Sequence, residues 1–214
     1  MPEDTAQLKI WTGKFGREYT NRNTLSPDKL EKLYRDNYGI TRTALNKMFL
    51  DKLDRSMRIL EVGSNIGLQL VCLQRMGFKN LYGIESQDYA VELCKKNTRN
   101  IKIIKGNALN LPFKDGYFDL VFTSGVLIHI NPRDIRKAMK EIHRSSNKYI
   151  WGFEYYSKKY EEIIYREKKN LLWKADFQKL YLESFSDLRL IKKKRLKYLK
   201  NQNVDMMFLL KKGK

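Results

Sequence analysis

Two glutamates, two glycines and a few small polar residues carry the chemistry legible in this chain of 214 residues. The stretch RILEVGSNIGLQL, Arg58 to Leu70, sets Glu61 near the end of a short apolar run. Gly63 and Gly67 follow, with Ser64, Asn65 and Ile66 between them, and then Leu68, Leu70, Val71 and Leu73 continue at helical spacing. A strand delivered into a helix through a glycine turn is expected to leave unpaired backbone N–H groups at the mouth of a parallel sheet, where polar ligands of α/β proteins bind. Glu61 adds a carboxylate facing that mouth. Glu85 ends the next run, LYGIES, about 20 residues after the turn, the spacing at which a carboxylate grips ribose hydroxyls in a dinucleotide-type half-fold. Alone the turn says little, because it departs from G-x-G-x-x-G and no Gly-Lys-Ser/Thr follows. Glycines that merely let a helix pack closely on a strand are the competing reading.

The elements that must position these residues follow in order. Leu8 to Asn23 places Trp11, Phe15 and Tyr19 four apart, on one face of a helix, although Gly13 and Gly16 weaken its continuity. Ser26 and Pro27 start a helix over 28–38 that Gly39 ends, and a second helix is predicted over 41–53. Runs 101–106 and 117–123 read as the third and fourth strands, the first leading into Asn107-Ala108 and the second into Ser124, Gly125 and Val126. Helices are predicted over 88–97 and 132–145, and YIWGFEYY, 149–156, as the fifth strand. Two last strands, 188–199 and 204–212, read as a terminal hairpin. Just past the fourth strand, His129 is either a general base for an acceptor hydroxyl or amine, or a wall residue. Glu154 is a second base candidate and Tyr155 and Tyr156 are candidate acceptor walls; the alternative is a strand end with its polar tips in water. His143 is read as a solvated helix residue without a role.

Taken in order, EVGSNIG, GIES and GNALNLPFKDGYFDLVFTSGVLIHI resemble the motif set of class I S-adenosylmethionine-dependent methyltransferases, over roughly Arg58 to Glu154. The resemblance implies an α/β, Rossmann-like fold: a seven-stranded, mostly parallel sheet ending in an antiparallel hairpin, with helices on both faces. Residues 41–214 would form this domain, behind an N-terminal arm and cap helices in 1–40. It implies S-adenosylmethionine as cofactor and no metal. The implied contacts are Glu61, Gly63, Ser64, Asn65, Gly67, Glu85, Ser86, Asn107, Ala108, Leu109, Ser124, Gly125 and Val126. Tyr19 or Arg22 would reach the methionyl carboxylate if the aromatic arm is a lid; a stripe that only packs the arm is the alternative. Two residues depart from the family pattern: Asn65 stands for the usual middle glycine, and Asn107 for a frequent aspartate. Asn tolerates a glycine-like backbone and can offer its side-chain oxygen as an aspartate does.

The run Trp11, Gly13, Phe15, Gly16, Tyr19, Arg22 and Asn23 is similar to the start of methylases associated with pseudaminic acid biosynthesis. That implies methylation on O or N of a small molecule: a sugar, sugar acid or nucleotide sugar. In the same proteins a Tyr-Arg pair precedes a Trp/Phe-Lys-x-Asp-Phe run, as Tyr165-Arg166 precedes Trp173 to Phe177 here. Tyr165, Arg166, Lys168 and Trp173 would then meet the acceptor, with Arg166 and Lys168 on an anionic carboxylate or phosphate. A charged helix pinned to the core by Trp173 and Phe177 is the alternative.

The formal charge of +19 invites an anionic partner. Its lysines are scattered through every predicted helix, so nucleic acid is the rival partner and is not favoured. RNA methylation and a non-catalytic cofactor-binding module stay as alternative functions. Cys72 and Cys94 lie in predicted helices without a CxxC or His cluster, which predicts buried free thiols. No apolar run reaches the ~20 residues of a membrane span, and the N-terminus has no signal-peptide core, so a cytoplasmic protein without membrane contact is expected.

Overall fold

The computed structural model describes residues 5–213; the first four residues of the expected arm, and Lys214, lie outside them. The arm forms two helices, α1 (Ala6–Thr12) and α2 (Lys14–Arg22), where one was predicted. Gly13 is extended and breaks the helix, and the chain folds back so closely that a Cβ on Gly16 would lie 1.6 Å from the Trp11 carbonyl oxygen. The three rings still gather: Trp11 packs edge-on against both Phe15 and Tyr19, with centroids 5.3 Å apart.

Helix α3 (Pro27–Tyr38) is capped by Ser26, whose hydroxyl accepts from the Lys29 N–H, and is closed by Gly39 in the left-handed region at φ 72°. Helix α4 (Arg42–Leu50) stops before the predicted 53. The Arg55 guanidinium collects the carbonyls of Leu50, Asp51 and Leu53 there and satisfies the helix end. Then come β1 (Arg58–Val62), α5 (Leu68–Arg75), β2 (Asn80–Glu85), α6 (Asp88–Asn97), β3 (Lys102–Lys105), β4 (Phe118–Ser124), a single 3-10 turn (Leu127–His129), α7 (Ile135–Ser145) and β5 (Ser146–Tyr155). A short hairpin of β6 (Glu161–Glu162) and β7 (Trp173–Lys174) precedes α8 (Phe177–Ser184), β8 (Leu188–Lys197) and β9 (Val204–Lys212).

The main sheet runs β3-β2-β1-β4-β5-β9-β8. Its first five strands are parallel, and β9 enters antiparallel between β5 and the edge strand β8. Strand order reverses between β1 and β4, so the carboxyl ends of those strands open a crevice. Each face is covered. Leu30, Leu45, Phe49, Leu70 and Leu73 of α3, α4 and α5 fill one side, and Ile135, Met139, Phe177 and Tyr181 of α7 and α8 fill the other. Gly152 lets the Phe208 ring cross the sheet, since a Cβ there would sit 2.2 Å from Cζ. Cys72 and Cys94 are buried free thiols.

Two sequence expectations need correction. Trp173 and Phe177 do not share a helix, because Asp176 caps α8 by accepting from the Lys179 N–H, and Trp173 lies before that start. His143 is not a solvated residue: its Nε2 meets Asp187 at 2.9 Å, and its ring stacks on Phe185 at 4.1 Å. Both partners lie more than 40 residues away, beyond the reach of helical periodicity.

Candidate active site

A cavity of about 350 Å³ opens at the carboxyl ends of β1, β2 and β4, roofed by the arm. Glu61 ends on its floor, and Ser64, Asn65, Glu85, Asn107 and Ser124 stand around it. Gly63, Ser86, Ala108, Leu109, Gly125 and Val126 also line it.

The glycine turn works differently from the N–H cradle the sequence suggests. Gly63 and Ser64 both donate to the Ile84 carbonyl, at 2.8 and 3.1 Å, and Gly67 donates to the Ser64 carbonyl at 2.8 Å. The Asn65 N–H donates to Glu85 at 2.9 Å, with Asn65 at φ 45°. These N–H groups are therefore spent within the turn and on tying β1 to β2, and the side chains face the ligand space. Gly63 is required by φ 73° and by Val126, whose Cγ2 would lie 2.6 Å from a Cβ. Gly67 does not line the cavity; at φ 79° it lets α6 approach, since a Cβ would meet Cys94 Sγ at 2.6 Å.

Glu85 is held rigid by backbone donors. Its oxygens accept from the N–H groups of Asn65, Ser86 and Gln87 at 2.9, 2.7 and 2.9 Å. Oε1 takes the Ser86 and Gln87 N–H groups and the Ser86 hydroxyl, so Oε2, which accepts from Asn65, is the oxygen with acceptor capacity for a further donor. Glu61 is buried, and burial pushes its pKa well above the usual carboxylate range, with Arg42 opposing and Glu85 adding to the rise. The Asn107 side-chain oxygen already accepts from the Leu109 N–H at 2.9 Å, which shapes the loop after β3.

Five buried polar atoms on the cavity's lining residues have no partner among the described residues: Glu61 Oε2, Ser64 Oγ, Asn65 Oδ1, Gln69 Oε1 and Trp11 Nε1. The two amide oxygens accept only, the Glu61 and Ser64 oxygens can do both, and the indole N–H donates. Buried polar groups cost ~1–3 kcal/mol each when unsatisfied, so such a concentration in one cavity marks a place for a ligand rich in donors. An aminoacyl nucleoside, with its ammonium, ribose hydroxyls and adenine amino group, has that donor set. Gln69, on the first turn of α5, was missed from the sequence; the signal was a glutamine among Leu68, Leu70 and Val71 just after the glycine turn.

The arm is pinned at both ends of the cavity. Gln7 Oε1 accepts from the Asn131 N–H at 2.8 Å, and Gln87 Nε2 donates to the Thr12 and Gly13 carbonyls at 2.8 and 3.0 Å. Tyr19 lines the cavity, and burial raises its pKa, so it stays a neutral phenol. Arg22 is exposed at the end of α2 and does not line the cavity. That position follows from the break at Gly13, which gives α2 an axis of its own.

His129 lines the cavity under Trp11, with ring centroids 4.4 Å apart, and 5.7 Å from Tyr165. Its Nδ1 lies 2.8 Å from the Leu171 carbonyl, which can only accept, so the proton sits on Nδ1 and Nε2 carries the lone pair. Burial pulls its pKa down to about 4. Glu154, the other base candidate, does not line the cavity. Its carboxylate accepts from the Val126 and Ile128 N–H groups at 3.2 and 3.4 Å and shapes the loop after β4. Burial pushes its pKa up to about 7, against those hydrogen bonds.

The acceptor candidates divide. Tyr165 packs between Phe15 and His129, beside the cavity. Tyr155 and Tyr156 do not line it. Tyr155 lies under Lys174 Nζ, 5.8 Å from the ring centroid, and the Tyr156 hydroxyl accepts from Arg195 at 2.6 Å. Arg166 and Lys168 sit on an exposed turn closed by the Lys168 N–H to the Tyr165 carbonyl, away from the cavity lining. Trp173 is buried in the core.

The strand order and this crevice define a Rossmann-like domain of the class I S-adenosylmethionine-dependent methyltransferase fold. Residues 60–148 match the protein family described as a methyltransferase domain. The chain is similar to EEF1A lysine methyltransferase 2 of Danio rerio, at 32% identity over 100 residues, 44% of this chain and 43% of that protein. It is also similar to O-methyltransferase rstn1 of Aspergillus nomiae, at 30% identity over 96 residues, 42% of each chain. These alignments span less than half the length of either relative. Among solved structures, the 1,6-didemethyltoxoflavin-N1-methyltransferase of Burkholderia thailandensis, with bound S-adenosylhomocysteine, superposes with a TM-score of 0.73 at 13% identity, over 100% of this chain and 92% of that one.

Proposed function

We propose that this protein is an S-adenosylmethionine-dependent methyltransferase acting on O or N of a small, sugar-like acceptor. The five unpartnered polar atoms around the cavity carry the cofactor part of this reading. Glu85 would take the ribose hydroxyls, Glu61 the ammonium, and the Asn107 loop the adenine edge. When bound, the cofactor supplies a sulfonium methyl that is electrophilic without further activation. The protein's work is then alignment and exclusion of water. Trp11 and Tyr19 wall the transfer region, with Tyr165 packed against His129 beside it. His129 offers Nε2 as an acceptor that orients an incoming O–H or N–H; with its pKa near 4, it aligns the nucleophile and does not store a proton near neutrality.

The sugar-like acceptor rests on the resemblance of the arm and of 165–177 to methylases of pseudaminic acid biosynthesis. Similar proteins named for lysine methylation and for O-methylation support nitrogen or oxygen as the receiving atom. Calorimetric titration with S-adenosylhomocysteine tests the first part, and indifference to it at millimolar concentration refutes the reading. A screen of sugars, sugar acids, nucleotide sugars and RNA with labelled cofactor tests the second. Label appearing only in RNA would overturn the small-molecule assignment.

A further inference from the structure

A buried charge lies just behind the cavity wall. Arg42, the first residue of α4, has no exposed surface. Its guanidinium hydrogen-bonds neutral groups: Nε donates to Asn46 Oδ1 at 2.9 Å, and Nη1 donates to the Tyr34 hydroxyl at 2.7 Å and to Ser124 Oγ at 3.4 Å. Nη2 and the neighbouring Asn46 Nδ2 are buried without a partner among the described residues. The rings of Tyr34, Trp151 and Phe153 surround it, with centroids at 5.2, 5.5 and 4.8 Å. The acids that feel its charge are Glu61 on β1 and Asp205 on β9. Asp205 accepts from the Tyr38 and Tyr198 hydroxyls through Oδ2 and lies outside the cavity lining, though its Oδ1 too is buried without a partner among the described residues. Glu61 lines the cavity, and its Oε2 is buried without a partner among the described residues.

Burying a guanidinium without a directly paired carboxylate is expensive, and an apolar side chain among three aromatic rings would be the cheaper occupant. Both hydroxyls that Arg42 holds, of Tyr34 and Ser124, belong to residues that line the cavity. The topology also separates two ends of the cavity. Glu85 stands on the β2 side, whereas Ser124, with Arg42 behind it, stands on the β4 side, and β1 with Glu61 runs between them.

Resting on the cofactor reading above, we infer that Arg42 is a positioning residue for the amino-acid end of the ligand. Its guanidinium fixes the Tyr34 and Ser124 hydroxyls on the cavity wall, and its charge favours the ionised form of Glu61, the acid assigned to the ligand's ammonium. The adenosyl end, neutral and on the Glu85 side, is indifferent to it. Two ligands separate these ends: S-adenosylhomocysteine, and 5′-methylthioadenosine, which keeps the adenosyl thioether and lacks the amino acid.

The test is calorimetric titration of wild type, Arg42→Met and Arg42→Lys with both. Arg42→Met should weaken S-adenosylhomocysteine by roughly 10- to 100-fold, the range for lost charge-assisted interactions, and leave methylthioadenosine within about twofold. Arg42→Lys, which keeps the charge, should recover part of the loss. Equal weakening of both ligands would make Arg42 merely structural, and no weakening of either would remove its role; each overturns the inference while wild-type binding upholds the cofactor reading. Wild type ignoring both ligands would instead sink the cofactor reading and this inference with it. Should Arg42→Met fail to fold, Tyr34→Phe carries the same comparison, since it releases Nη1 while keeping the guanidinium; a selective loss of a few-fold for S-adenosylhomocysteine is expected, and an equal or absent effect overturns the inference.

Discussion

Replacing Glu154 by Gln and His129 by Asn, in separate variants, should uncover two opposed proton linkages that conceal each other in the wild type. The Glu154 pKa rises on folding from 4.5 to about 7, and that of His129 falls from 6.5 to about 4. Between pH 4.5 and 7 the folded protein keeps a proton on Glu154 that the unfolded chain has released, so this group's contribution falls as pH rises. Between pH 4 and 6.5 the unfolded chain holds a proton on His129 that the folded protein excludes, so that contribution rises with pH. Each shift is worth about 3 kcal/mol over its full window, and from pH 4.5 to 6.5 the two slopes nearly cancel. Glu154→Gln should then become more stable with rising pH, relative to wild type, by about 2–3 kcal/mol across that window. His129→Asn, whose amide can still donate to the Leu171 carbonyl, should show the mirror-image slope. Urea denaturation followed by tryptophan fluorescence at several pH values reads both. Constant offsets are expected too, because the amide introduced at position 154 leaves its NH₂ without an acceptor, but only the slopes bear on the titrations. Two variants running parallel to wild type would refute the burial-driven shifts.

Glu85→Ala removes the acceptor for the N–H groups of Asn65, Ser86 and Gln87, and should weaken S-adenosylhomocysteine by roughly 10- to 100-fold in calorimetry; unchanged affinity would dismiss its ribose role. Gly67→Ala should cost about 1–3 kcal/mol in urea unfolding, because its φ of 79° is strained for alanine and its Cβ would press on Cys94 and Thr98 at 2.6 and 2.7 Å. A neutral result would mean that α6 can shift freely. Gln87→Ala unlatches the arm by freeing the Thr12 and Gly13 carbonyls, and should speed ligand release in stopped-flow by roughly fivefold, consistent with ~1 kcal/mol for a neutral hydrogen bond. An unaltered release rate would show that the arm does not gate the cavity.

The sequence by itself determined what depends on neighbours along the chain. Ser26, Pro27 and Gly39 mark both ends of α3 because capping and left-handed geometry are local properties. The apolar run to Val62, the glycine turn and the leucines of α5 mark β1, its loop and its helix for the same reason. The turn-like Asn201-Gln202-Asn203 between two strand-like runs marks the terminal hairpin. What only the tertiary structure decided are pairings over long separations. Nothing local shows that Arg42 meets Ser124, 82 residues on, or that His129 is fixed by the Leu171 carbonyl, 42 residues on. Nor does a strand end show that Glu154 turns to the backbone of the Val126 loop while Glu61 keeps an oxygen free. Residue type and spacing name the carboxylates, but burial and partner choice assign their work, and both arise only when distant segments pack into one low-dielectric interior.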